Sequence, residues 1–199
     1  MKDLRLCLFI VLLNVSSFSL FGQDNHITFK GIPVDGTIKE FTVNMENNGF
    51  SFITESDRTL QAGFMGKFSG EECIITAAFT PASKTVWSVS AHFPEDDSWY
   101  YLSTKYDRFK SLMEEKYGKP DTDFHFFSRP YKDMDGHELD ALYEKKCHYH
   151  CSFKVDNGTV MLSLESVHYG KGNLCVSYED NANVALKHQE ENAQMNQDL

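Results

Sequence analysis

The sequence lacks an excess of basic residues, because 29 Asp and Glu outnumber 19 Lys and Arg and give a formal net charge of −10. A surface that neutralises many phosphates requires the opposite balance, so no nucleic acid is expected as a partner. Beyond the N-terminus the chain also lacks a long apolar run. No integral membrane segment is therefore expected in the mature chain.

Catalytic signatures are missing as well. The chain contains no Gly-x-Ser-x-Gly motif, no His-Glu-x-x-His motif and no glycine-rich phosphate loop. Serine, histidine and aspartate all occur, but at no diagnostic spacing. The sequence therefore predicts no catalytic residue and no cofactor, and it favours a protein that is not an enzyme.

The N-terminus carries the most specific signal in the chain. A short basic region precedes an apolar run at residues 6–15, and small polar residues follow it. This order is typical of a secretory signal peptide. We expect a signal peptide at 1–22, with cleavage after Ser19 or after Gly22. The mature protein would then be exported to the periplasm, the cell surface or the extracellular space.

Four cysteines remain after such a cleavage: Cys73, Cys147, Cys151 and Cys175. An even number of cysteines in an exported chain permits disulfides, whereas buried free thiols are the alternative. On one extended strand Cys147 and Cys151 would lie about 13 Å apart, too far for a mutual bridge. Any disulfide would therefore join Cys73 or Cys175.

Local patterns predict both helices and strands. Thr37 and Glu40 form a capping box at a helix start, and apolar residues recur at three-and-four spacing from Trp99 to Met113. Alternating patterns predict strands at 26–34, within 50–93, and at 147–155, 159–167 and 174–178. The stretch 121–135 is expected to be irregular, and a short helix is expected at 136–142.

The order of these elements predicts an α+β fold, in which an antiparallel sheet has helices packed mainly on one face. It also allows a degenerate duplication of a helix-plus-three-strands unit. We expect a single domain at 23–180, with halves at 23–120 and 121–180. Residues 181–199 form a polar tail that is either a frayed helix or disordered.

The segment Cys147-His-Tyr-His-Cys151 has the residue types of a soft-metal site. If the segment is a strand, however, the cysteines face the core while His148 and His150 face the other way. The four side chains would then not converge on one ion. No metal site is predicted, and His148 and His150 remain only as two isolated candidate ligands.

Aromatic residues are the one excess that suggests binding. Phe124, Phe126, Phe127 and Tyr131 lie in the least regular part of the chain, where exposed rings would contact a protein or a glycan. The alternative is that these rings cover the core.

The leading hypothesis is an exported, non-enzymatic binding module. Two others stay open: a hydrolase that uses His148 or His150 with a carboxylate, and an inhibitor of a secreted enzyme.

Four short segments carry a resemblance to other proteins: Phe29-Lys-Gly-Ile-Pro-Val-Asp-Gly36, Lys116-Tyr-Gly-Lys-Pro120, Asp135-Gly-His-Glu-Leu139 and Val176-Ser-Tyr-Glu-Asp180. In these four segments the chain resembles a group of exported α+β proteins of Gram-negative gut-type bacteria. The order of helices and strands is also similar to the beta-lactamase-inhibitor-protein type of fold. These resemblances imply export and a sheet covered by helices, and they carry over no catalytic residue.

Overall fold

The computed structural model describes residues 26–197. The predicted signal peptide at 1–22 lies outside these residues. The described chain has the predicted α+β fold. It consists of four helices, an eight-stranded antiparallel sheet and a small two-stranded sheet. Within 26–197, no helix combines the length and the apolar character needed to cross a membrane.

The elements follow one another in the order β1 (Thr28–Phe29), β2 (Ile32–Pro33), α1 (Ile38–Asn47), β3 (Ser51–Ser56), β4 (Gln61–Phe68), β5 (Glu71–Phe79), β6 (Val86–His92), α2 (Trp99–Tyr117), β7 (Thr122–Phe127), α3 (Glu138–Tyr143), β8 (Cys147–Val155), β9 (Gly158–His168), β10 (Lys171–Asp180) and α4 (Asn181–Gln197).

The large sheet consists of two meanders that meet at its centre. Its strand order is β3-β4-β5-β6-β10-β9-β8-β7, so four consecutive strands of each half pair in sequence and the halves join along β6 and β10. A helix precedes each meander, and α3 interrupts the second one between β7 and β8. Each unit therefore has one strand more than the predicted three.

Three helices cover one face of this sheet. The ring of Phe41 on α1 lies 6.4 Å from that of Phe64, and the ring of Phe109 on α2 lies 4.9 Å from that of Phe93. A Cβ on Gly172 would lie 2.7 Å from Leu142 of α3, which places α3 on the same face. The core is the apolar layer between these helices and the sheet.

The fourth helix lies at one end of the opposite face. The amide nitrogen of Asn183 donates to the carbonyls of Val34 and Val86 at 3.0 and 2.9 Å. Lys187 lies 4.3 Å from the ring centroid of Trp87. These contacts attach the C-terminal segment to the sheet. Of the two predicted states of the polar tail, the structure has the helix, which extends to Gln197.

Two predicted segments differ from the structure. The strand predicted at 26–34 is a tight hairpin of β1 and β2, whose turn uses positive φ angles at Lys30 and Gly31 (50° and 81°). The stretch 121–135, predicted to be irregular, contains β7. Pairing with β8 makes β7 extended although none of its side chains is fully buried.

Candidate functional site

The face opposite α1, α2 and α3 carries a continuous row of cross-strand neighbours. Directly opposed residues of an antiparallel sheet point to the same face. The strand registers connect one such row: Met65, Ile74, His92, Cys175, Ser163, His150 and Phe124. We call the surface around this row the open face.

At its β7 edge the open face ends in four neighbouring rings, here called the edge ladder: Phe124, Phe126, His148 and His150. The rings of Phe124 and His150 lie 4.6 Å apart, and those of Phe126 and His148 lie 4.5 Å apart at an interplanar angle of 26°. The two phenylalanines are 42% and 47% exposed. Because each histidine covers one ring face, the other face of each phenylalanine is directed to the edge of the sheet.

The other two predicted binding residues turn toward the core. The ring of Phe127 lies 5.6 Å from Trp99 and 5.8 Å from Tyr149. Tyr131 also packs against the core. The aromatic residues singled out in the sequence therefore divide into two exposed rings and two that cover the core.

The backbone of β7 is open along one side. Among residues 26–197, β8 is the only strand that pairs with it. The N–H of Ser128 donates to the carbonyl of Lys146 at 2.7 Å, which fixes the alternation of hydrogen-bonded pairs along this ladder. By that alternation, the backbone N–H and C=O groups of Asp123, His125 and Phe127 point away from β8.

The strand alternation predicted for residues 147–155 is confirmed. Cys147, Tyr149, Cys151 and Phe153 are buried, whereas His148 and His150 lie on the open face. The thiols and the imidazoles of this segment are thus on opposite sides of the sheet, and the four side chains do not meet.

A second group of polar side chains lies near the centre of the open face. His92 of β6, Glu165 of β9 and Cys175 of β10 each place one ligand atom within 4.8 Å of the other two. Nδ1 of His92 is 3.6 Å from Oε2 of Glu165. We call these three residues the ligand cluster.

A hydroxyl group contacts each member of the ligand cluster. Thr76 Oγ1 lies 3.0 Å from Nε2 of the histidine, and Ser163 Oγ donates to the glutamate Oε1 at 3.1 Å. Ser177 Oγ lies 3.5 Å from the cysteine sulfur. These hydroxyls lie on β5, β9 and β10, so the sheet itself orients the three side chains.

The ligand cluster favours positive charge. Cys175 and then Glu165 raise the pKa of His92 to about 10, because both stabilise the protonated imidazole. The same contact with His92 holds the pKa of Glu165 below its usual value. The imidazole is therefore protonated at neutral pH, and a metal ion that binds it must displace this proton.

All four cysteines of the described chain, Cys73, Cys147, Cys151 and Cys175, are free and buried. Of the two alternatives left open by the sequence, the structure has the buried thiols. Burial raises the pKa of Cys73 to about 11 and that of Cys147 to about 12, so both are protonated at neutral pH and poor nucleophiles.

His148 borders a cleft of about 340 Å³ that Glu165 also lines. The serine and the cysteine that line it are not activated as nucleophiles. The hydroxyl of Ser166 donates to the carbonyl of His168 at 3.4 Å, and the thiol of Cys147 has a raised pKa. The cleft therefore brings a histidine and an acid together, but neither its serine nor its cysteine is an activated nucleophile.

The sequence did not indicate the ligand cluster, because its residues are far apart in the chain. Their convergence depends on the pairing of β6 with β10 and of β10 with β9. The alternation of side chains along each strand could have placed each residue on the face that points away from the core. It could not have given the order of the strands in the sheet.

No protein-family model matches this chain, and no curated protein or solved structure is significantly similar to it. The function must therefore be argued from the edge ladder and the ligand cluster themselves.

Proposed function

We propose that this protein is an exported, non-enzymatic recognition module that binds an extended segment of a partner protein along β7. The observation that carries this proposal is the combination, on one edge strand, of outward-pointing backbone groups and exposed ring faces. A segment added as a further antiparallel strand would satisfy the backbone groups. The export part of the proposal is supported by the basic and apolar pattern at residues 1–22.

The ring geometry favours a peptide strand. His150 and His148 pack on the inner faces of Phe124 and Phe126 as cross-strand neighbours. An added strand would place its own side chains against the outer faces in the same way, because the cross-strand geometry repeats with a spacing of about 4.8 Å. We therefore expect apolar side chains at every second position of the bound segment.

A glycan would use these rings less well. Sugars stack on flat ring platforms, whereas the exposed rings of Phe124 and Phe126 meet at an interplanar angle of 61° and do not form one flat surface. A sugar would also leave the outward backbone groups of β7 without the regular partners that a strand provides. We therefore expect a peptide rather than a glycan to bind along β7.

The experiment is a selection from a displayed library of random linear peptides on the purified protein, with a glycan array in parallel. We expect the selected peptides to alternate apolar and polar residues. The double variant Phe124→Ala/Phe126→Ala should lower their affinity by about 100-fold, because central aromatic residues dominate such contacts. Binding would be measured by fluorescence anisotropy.

Phe52→Ala on the other edge strand is the matched control, since Phe52 is also 42% exposed. It should leave the affinity unchanged. A double variant that binds the selected peptides as well as the wild type would overturn the proposal. Retention of a glycan in place of any peptide would also overturn it.

A further inference from the structure

We propose that the ligand cluster, His92, Glu165 and Cys175, binds one Zn²⁺ ion on the open face of the sheet. This site is separate from the β7 edge, and the proposal does not depend on peptide binding.

The donor atoms are the first argument. An imidazole nitrogen, a carboxylate oxygen and a cysteine sulfur are the three donor types that bind Zn²⁺ in proteins. Ca²⁺ and Mg²⁺ require oxygen ligands, so the sulfur disfavours both of them. With three protein ligands, the fourth tetrahedral position would be open to water.

The distances are the second argument. Zinc bonds of about 2.0–2.1 Å to nitrogen and oxygen and about 2.3 Å to sulfur separate tetrahedral ligand atoms by about 3.3–3.6 Å. The separation between His92 Nδ1 and Glu165 Oε2 is already 3.6 Å. The sulfur of Cys175 lies within 4.8 Å of the two other ligand atoms. Closing the site therefore requires side-chain shifts of no more than about 1.3 Å.

The surrounding hydroxyls are the third argument. Thr76 contacts Nε2 of the histidine, which leaves Nδ1 directed to the glutamate. Ser163 holds one glutamate oxygen and leaves the second one directed to the imidazole. Partners that fix the unused atom of each ligand are what metal sites have in their outer sphere.

A buried acceptor beside the cluster is the fourth argument. Asn173 is the cross-strand partner of Glu165, and its amide nitrogen donates to the Phe93 carbonyl at 3.3 Å. Its Oδ1 is buried and has no hydrogen-bond partner within the described part of the chain. A buried acceptor of this kind normally accepts a hydrogen bond, and a water molecule bound to the ion would donate one.

The ion can reach the site from solvent. Cys175 is only 1% exposed, but the side chains of His92 and Glu165 are 26% and 45% exposed. His92 and Asn173 also line a cleft of about 350 Å³ at this end of the sheet. The sulfur would thus lie beneath the ion, and the fourth position would face the cleft.

Binding can be measured with the purified, reduced, metal-free chain and Zn²⁺ alone, by calorimetry and by competition with a chromophoric chelator. We expect one equivalent to bind. Glu165→Gln, an isosteric change at a half-exposed side chain, should lower the affinity at least about tenfold. Thr76→Val should lower it by about 10- to 100-fold through loss of the histidine's partner. Circular dichroism checks that each variant is folded.

Co²⁺ identifies the sulfur ligand. The wild type should show a thiolate-to-cobalt charge-transfer band, and Cys175→Ser should lose it. The matched controls are Cys73→Ser, another buried cysteine, and Glu72→Gln on the neighbouring strand β5. Both should bind like the wild type. A wild type that binds no stoichiometric Zn²⁺, a folded Glu165→Gln variant with unchanged affinity, or a Cys175→Ser variant that keeps the band would each overturn the proposal.

Discussion

The β3 and β7 edges of the sheet expose similar amounts of apolar side chain but differ in their backbones. Phe52 and Ile53 on β3 are as exposed as Phe124 and Phe126 on β7. The register of β3 with β4, however, shifts between Phe52 and Thr54, whereas β7 pairs with β8 without a shift. Helix α1 also packs beside β3.

An edge bulge interrupts the regular row of backbone groups that another strand would need, and proteins use it to prevent unwanted pairing. The β3 edge is protected in this way and the β7 edge is not. The regularity of the backbone, rather than exposed apolar area, therefore distinguishes the two edges.

The largest effect is expected from His125→Pro. The N–H of His125 points away from β8, so proline keeps the β7–β8 ladder but removes a donor to the added strand. We expect the affinity for selected peptides to fall by about 100-fold. His125→Ala is the control, because it also removes the ring that lies 3.9 Å from Tyr149 but keeps the N–H. Equal binding by both variants would contradict the model of strand addition.

A smaller effect separates two neighbours on β7 itself. Phe127→Ala should lower the free energy of unfolding by about 2–3 kcal/mol, because this ring packs against Trp99 and Tyr149. Phe126→Ala should lower it by less than about 1 kcal/mol, because that ring is half-exposed. Urea denaturation measures both. Similar losses would mean that the edge ladder belongs to the core.

The smallest effect concerns the helix beside β3. Thr37→Ala removes the side-chain half of the capping box of α1 and should lower the free energy of unfolding by about 1 kcal/mol. Peptide binding at β7 should not change. Coupled loss of stability and peptide binding would show that the two edges are not independent.

The same variant should alter the dependence of stability on pH. The hydrogen bonds from Thr37 hold the pKa of Glu40 below its usual value. Stability from this contact is present above the unfolded-state pKa and is lost as the pH falls through the lower pKa of the folded state. Thr37→Ala keeps the backbone hydrogen bond to Glu40 and removes only the side-chain one, so it should reduce part of the fall in stability on the acid side. An unchanged acid limb would argue against the side-chain hydrogen bond in solution.

Features that depend on residues close together in the sequence could be predicted. The capping box of Thr37 and Glu40 forms as expected, and the apolar spacing of α2 places Leu102 and Tyr106 in the core. These features depend on residues three or four positions apart, which the sequence displays directly. The alternation around His148 was predictable for the same reason, since it has a period of two.

Features that depend on distant pairing were not predictable. Strand β7 has six residues, of which five are exposed, so its extended conformation comes from β8 and not from its own apolar pattern. The ligand cluster is a stronger case, because His92 and Cys175 become neighbours only when the two meanders meet. Likewise, the sequence could not show that Phe126 is exposed while Phe127 packs on the core, because this depends on the face of β7 on which each ring lies.

The junction of the two meanders gives the ligand cluster a mechanical meaning. His92 belongs to the first half of the chain, whereas Glu165 and Cys175 belong to the second. An ion coordinated by all three would act as a clasp, so that pulling the halves apart would have to break metal–ligand bonds as well as the β6–β10 hydrogen bonds.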